Sequence, residues 1–156
     1  MSYALIPLVV VVLATSLTFQ AQWRAHTAAG INTRVDMAAS VRATQAIAYA
    51  AACVDAARQA PGAVAADLAV SLPTGLSAVA GAQCATQASG GGRLVYASVP
   101  SAPGAIGELM KAVDGSATWY QVSAPGSAEQ LATALRVDVP STIATGSLLY
   151  QIRLTP

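Results

Sequence analysis

Few side chains in this sequence could do chemistry. His26 is the sole imidazole, Cys53 and Cys84 are the only thiols, and seven carboxylates are scattered along 156 residues. Nucleophilic hydrolysis needs a base beside the nucleophile and a third group to orient that base. His26 lies close to the amino-terminal apolar stretch and far in sequence from a plausible serine partner, so no such set is legible. Zinc needs three or four ligands, and two cysteines with one distant histidine match no ligand spacing. Glu108 with Asp114, or Asp36 with Asp55, could meet as an acid pair, but scattered carboxylates on a small domain are normally just solvated. Gly90-Gly91-Gly92 lacks the G-x-x-x-x-G-K-[ST] frame of a phosphate loop, and its lysine, and reads as a turn into the next strand. No catalytic, cofactor or metal site is assigned, and the chain is not read as an enzyme.

The chemistry left is a cross-link. Cys53 and Cys84 form an even pair, as expected of an oxidising compartment, and a disulfide between them would close a loop of about 30 residues, contributing about 3 to 4 kcal/mol. The bland alternative is two unrelated buried thiols. Such a link suits this composition. Charged residues make up 10% and aromatics 5%, and alanine, which recurs throughout, removes little area from water per residue. The net charge is +1 with the basic residues spaced singly, so nothing follows a phosphate backbone. Neither nucleic acid nor a small-molecule substrate is an expected partner.

The elements that would hold such a link begin with an apolar stretch. Residues 1-23 carry no charged side chain, Tyr3 to Phe19 (YALIPLVVVVLATSLTF) is almost wholly apolar, and Leu5 to Leu13 is apolar all round. A run of that kind suits the about 20 residues needed to cross a hydrocarbon core, with Tyr3 and Trp23 where interfacial aromatics belong. Ala14-Thr15-Ser16 would fit a cleaved secretory signal, but no basic residue precedes the run, which favours a retained anchor. The nearest charges, Arg24, Arg34 and Arg42, follow it, and the positive-inside rule alone would keep that side cytoplasmic. The cysteine pair argues for the opposite, periplasmic side.

Residues 24-62 are expected to form a helical stalk and the first domain helix. Val35, Ala38, Ala39, Arg42, Ala43, Ala46 and Ala50 fall at spacings of three and four, with Met37, Val41, Ile47, Tyr49 and Val54 as the larger apolar groups. Gly30-Ile31-Asn32 could interrupt this helix, and Pro61-Gly62 ends it. The stripe Ala39, Ala43, Ala46, Ala50 permits close approach to the protein's own sheet, or to another subunit.

Residues 63-156 complete a single domain. The part up to Gly92 reads as irregular with one short strand or helical turn. Arg93 to Val99 reads as a strand, Ile106 to Val113 as a short amphipathic helix stopped by Asp114-Gly115, and Ala117 to Val122 as a second strand turned by Pro125-Gly126. Trp119 and Tyr120 should then face opposite sides. Ser127 and Gln130 form a capping box, which predicts a helix carrying Leu131, Ala134 and Leu135. Ser147 to Leu154 alternates, with Leu148, Tyr150, Ile152 and Leu154 on one face, and is expected to close the sheet. The fold class expected is α+β: an N-terminal transmembrane helix continuing into an amphipathic helix, then a small antiparallel sheet with short helices.

Several stretches stand in a telling order and spacing: the uncharged anchor from Tyr3, Ile47-Ala48-Tyr49 through Ala60-Pro61-Gly62, Ser71-Leu72-Pro73-Thr74, Gly91-Gly92-Arg93-Leu94-Val95-Tyr96, Pro103-Gly104, Val139-Pro140 and Gly146 to Tyr150. In these the chain resembles the PilM family of plasmid-borne type IVb (thin) pilus systems. The resemblance implies a bitopic protein of the bacterial inner membrane with a periplasmic C-terminal domain. Such a protein is a non-enzymatic accessory of pilus assembly or of the basal body in conjugation, with other pilus-assembly proteins as partners. The cysteine pair departs from the family pattern. Self-association stays open, as does a pilin or minor pilin, which shares a long helix, a small sheet and often a disulfide. A pilin carries a glutamate at its fifth mature position, where this chain has Leu5.

Overall fold

The computed structural model describes residues 33–155. The expected anchor at 1-23, and His26, lie outside the described residues. By internal contacts the chain divides into Met1–Met37 and Ala38–Pro156. Among the described residues no helix is long and apolar enough to cross a membrane.

Helix α1 runs through the described residues from 33 to 59. Alanine, the best helix former, supplies much of it. Ala39, Ala43, Ala46 and Ala50 are all buried, joined further on by Cys53, Val54 and Ala57, so the small-residue stripe packs on the protein's own sheet. The small side chains let backbone approach backbone, and the larger apolar groups are divided. Tyr49 and Val54 are buried, whereas Met37 and Val41 are 65% and 52% exposed.

The sheet has six strands, all pairings antiparallel, in the order β1-β2-β6-β3-β4-β5. They are β1 Gln83–Ser89, β2 Gly92–Pro100, β3 Trp119–Ala124, β4 Ser127–Gln130, β5 Arg136–Asp138 and β6 Ser147–Leu154, with helix α2 Ala105–Ala112 between β2 and β3. The glycine triplet is the β1–β2 hairpin turn, with Ser89 opposite Gly92 and Gly91 at φ +81°, a conformation glycine adopts without penalty. Gly104 precedes α2 at φ +79°, and a Cβ there would meet the Cβ of Ala39 at 3.2 Å, so a bare backbone is needed where α2 meets α1.

Each face of the sheet has its own core. On one, α1 and α2 cover Val95, Ala97 and Val99 of β2, Leu148 of β6 and Trp119 of β3, with Leu109 of α2 filling the centre. On the other, Tyr96, Val122, Ala128 and Leu149 pack with Val139 and Ile143 of the connection into β6. Trp119 and Tyr120 fall on opposite faces, in accord with strand alternation.

Of the short strand or helical turn expected within an otherwise irregular 63-92, the structure has the strand: β1, paired with β2 along its whole length. Three expectations are corrected. Ser127 to Leu135 is not a helix. The Pro125-Gly126 turn folds Ser127–Gln130 back along β3, with Gln130 opposite Tyr120, and pairing along a ready-made strand outweighs a local capping signal. A turn with Ala134 at φ +57° then leads into β5, and Leu135, expected on the inner face of that helix, is 61% exposed. Finally, β6 does not close the sheet from its edge: it is inserted between β2 and β3. One short helix, not several, accompanies the strands after α1.

Candidate functional site

Cys53 of α1 and Cys84 of β1 are joined by a disulfide, with Cα atoms 5.6 Å apart. Both residues are fully buried. The bond ties the helix to β1, the first strand in the sheet order.

The same end of the molecule is fastened by Arg93, which leads β2 into its register. One of its guanidinium nitrogens donates to the carbonyls of Ala60 and Ala63, each at 2.8 Å, and the other to that of Ala57 at 2.7 Å. The last carbonyls of a helix have no partner of their own and carry partial negative charge, so a cation with a planar array of donors suits them. This role was not legible beforehand. The only local signal is an arginine placed directly after a glycine turn, and the helix end it serves lies more than thirty residues earlier.

Beyond α1 the chain runs along the outer edge of β1. The Thr86 hydroxyl donates to the Ala63 carbonyl and accepts from the Ala65 amide, both at 2.9 Å. Backbone bonds from Thr86 to Ala65 and from Leu68 to Cys84 extend the contact. Leu68, Val70 and Leu72 turn inward from this strap onto the helix-side core. The phenol of Tyr49 is raised above its ordinary value, first by burial and then by the Asp67 carboxylate of the strap; burial alone raises that of Tyr96.

Three open grooves border these elements. The first, about 550 Å³, lies between the outer side of α1 at Ala48, Ala52 and Asp55 and the strap at Leu68, Leu72 and Pro73. A second of about 550 Å³ lies beside Arg58, Gly62, Arg93 and Leu154. The third, about 280 Å³, runs between Ile47 and Val54 of α1 and the cross-strand pair Trp119 and Tyr150, whose ring centroids are 5.1 Å apart. Their charged groups are largely engaged. Arg93 is committed to the helix carbonyls, and Arg58 and Asp55 pair at 3.6 Å in solvent, where such a pair contributes little.

The carboxylates considered as acid pairs are placed separately. Glu108 is bound by Lys111 at 2.7 Å, Asp114 sits in the turn after α2 at φ +48°, Asp55 faces Arg58, and Asp36 is exposed on α1. Among the described residues no three histidine, cysteine or acidic side chains gather as metal ligands. What this arrangement can do is present shaped surfaces held on a cross-linked frame.

No protein-family model matches the chain, and no curated protein matches it. A solved structure is similar: the crystal structure of the protein PilM from Escherichia coli B7A. It shares 18% identity, with a TM-score of 0.48 over 74% of this chain and 92% of that one. At this identity the likeness says nothing about individual residues.

Proposed function

We propose that the chain is a non-enzymatic accessory of type IVb pilus assembly, held in the bacterial inner membrane by residues 1-23, with its domain on the periplasmic side. Its work is anchoring and docking: the domain offers grooves and edges to other pilus-assembly proteins. The buried Cys53–Cys84 link carries this reading, because a small alanine-rich core that relies on a disulfide suits an oxidising compartment beyond the membrane. The sequence resemblance supports it as well. Its quoted stretches coincide with parts that shape the domain: the end of α1, the β1–β2 hairpin with Arg93, the glycine before α2, and the entry into β6.

A structural pilin is the competing reading, favoured by the long α1 packed on an antiparallel sheet. Membrane fractionation and filament shearing separate the two. The accessory should stay with the inner membrane, resist alkaline extraction, and react with a membrane-impermeant thiol reagent only after reduction. Recovery in stoichiometric amounts from sheared filaments would establish the pilin instead, and free thiols facing the cytosol would overturn both readings.

A further inference from the structure

The outer edge of β5 is self-complementary. Strand β5 pairs with β4 through Asp138 opposite Ser127, Val137 opposite Ala128 and Arg136 opposite Glu129. The phase of the ladder follows from the bonds at its two ends: the Gln130 amide donates to the Leu135 carbonyl, and the Val139 amide to the Gly126 carbonyl. Hydrogen-bonded and non-hydrogen-bonded positions alternate along antiparallel strands. Leu135, Val137 and Val139 therefore point their backbone groups at β4, and Arg136 and Asp138 point theirs outward. Both residues are exposed, and beyond β5 the sheet has no further strand among the described residues.

We propose that this edge joins a second copy of the chain, β5 against β5, antiparallel about a two-fold axis at Val137. In that register Arg136 lies opposite Asp138 of the second copy, and Asp138 opposite its Arg136. The outward N–H and C=O groups of both residues then meet their counterparts in hydrogen-bonded phase, and each guanidinium faces a carboxylate. Opposite charges placed directly across two strands are favourable and like charges unfavourable, so the alternation of one cation and one anion selects this register. Val137, half-buried on the second core, meets its own equivalent, and Leu135, 61% exposed, gains apolar cover beside Val139. The interface is isologous and closes on itself as a dimer. A three-residue strand makes it weak and reversible. The inference is independent of the compartment and of the pilus reading.

A cysteine trap in the full-length chain tests it. Residues facing each other at a non-hydrogen-bonded position have Cα atoms about 4.5 Å apart, within the reach of a disulfide. Val137→Cys should give a cross-linked dimer under mild oxidation, while Ala132→Cys, exposed in the preceding turn, should not. Adding Arg136→Asp or Asp138→Arg to Val137→Cys should abolish the dimer, and the two reversals together should restore it. Sedimentation of the same charge variants without the added cysteine gives a second readout, with loss and recovery of self-association in the same pattern. Equal cross-linking at 137 and 132, indifference to either charge reversal, or cross-links from 137 only to other proteins would overturn the proposal.

Discussion

The two edges of this sheet are built on opposite plans. At the β1 edge the chain folds back as a strap whose Ala65 and Leu68 amides donate to Thr86 and Cys84 and whose Ala63 and Ala65 carbonyls accept from Thr86, while a disulfide and Arg93 fix this edge to α1. At the β5 edge three residues stand exposed or half-buried, with opposite charges at the two ends. Open edges invite pairing, and proteins commonly blunt them by covering, shortening or charging them. This molecule covers one edge. It leaves the other short and charged, in a pattern that rejects most strands and fits its own copy. The difference separates a part of the sheet that must stay closed from a part free to meet something else.

The largest test of this contrast is removal of the cross-link. Replacing both Cys53 and Cys84 by alanine frees a loop spanning 31 residues of sequence and should cost about 3.5 kcal/mol, read as a lower denaturation midpoint. Amide exchange should accelerate in the strap and β1, leaving β4 and β5 changed only by the global loss. Uniform acceleration would show that the edges are not independent. Arg93→Met comes next, keeping the aliphatic bulk but taking the guanidinium from the carbonyls of Ala57, Ala60 and Ala63, of which Ala60 keeps the Ala63 amide and Ala63 keeps the Thr86 hydroxyl. It should cost about 2 to 3 kcal/mol, with fraying of the last turn of α1 visible by NMR. Thr86→Val preserves shape and removes one hydroxyl, for an expected loss of about 1 to 2 kcal/mol confined to the strap. The smallest effect belongs to the open side. Ala134 holds a left-handed conformation that glycine enters freely, so Ala134→Gly should stabilise by about 0.5 to 1 kcal/mol, with no change in strap exchange.

The sequence was readable where local pattern and tertiary role coincide. The alternation of β6 sets Leu148, Tyr150, Ile152 and Leu154 toward the helix-side core, though Leu149 is also buried, on the other face; the β-branched and aromatic run of β2 is a strand, and the alanine stripe of α1 is buried. The position of β1 within 63-92 was hidden because its residues (QCATQAS) are small and polar; its place depends on the partner strand, the strap and the disulfide. The stretch from Ser127 misled for a related reason. A capping box and alanines favour a helix locally, but the preceding turn delivers the segment to an unpaired strand, and the outcome is decided there. The central position of β6 was invisible because strand order depends on which surfaces remain open when the last segment arrives. Of the candidate residues, the two cysteines were nameable from count alone, whereas Arg93 and the self-matching β5 edge need the register of distant strands.

That late arrival bears on how the protein is made. The β1–β2 hairpin and the β3–β4–β5 meander are separate halves until β6, the last eight-residue strand of the chain, slides between them and pairs with both. A growing polypeptide lacks this keystone until β6 has emerged, so the complete sheet forms only once that strand is free to pair with both halves. Its architecture locks in when β6 joins the two halves.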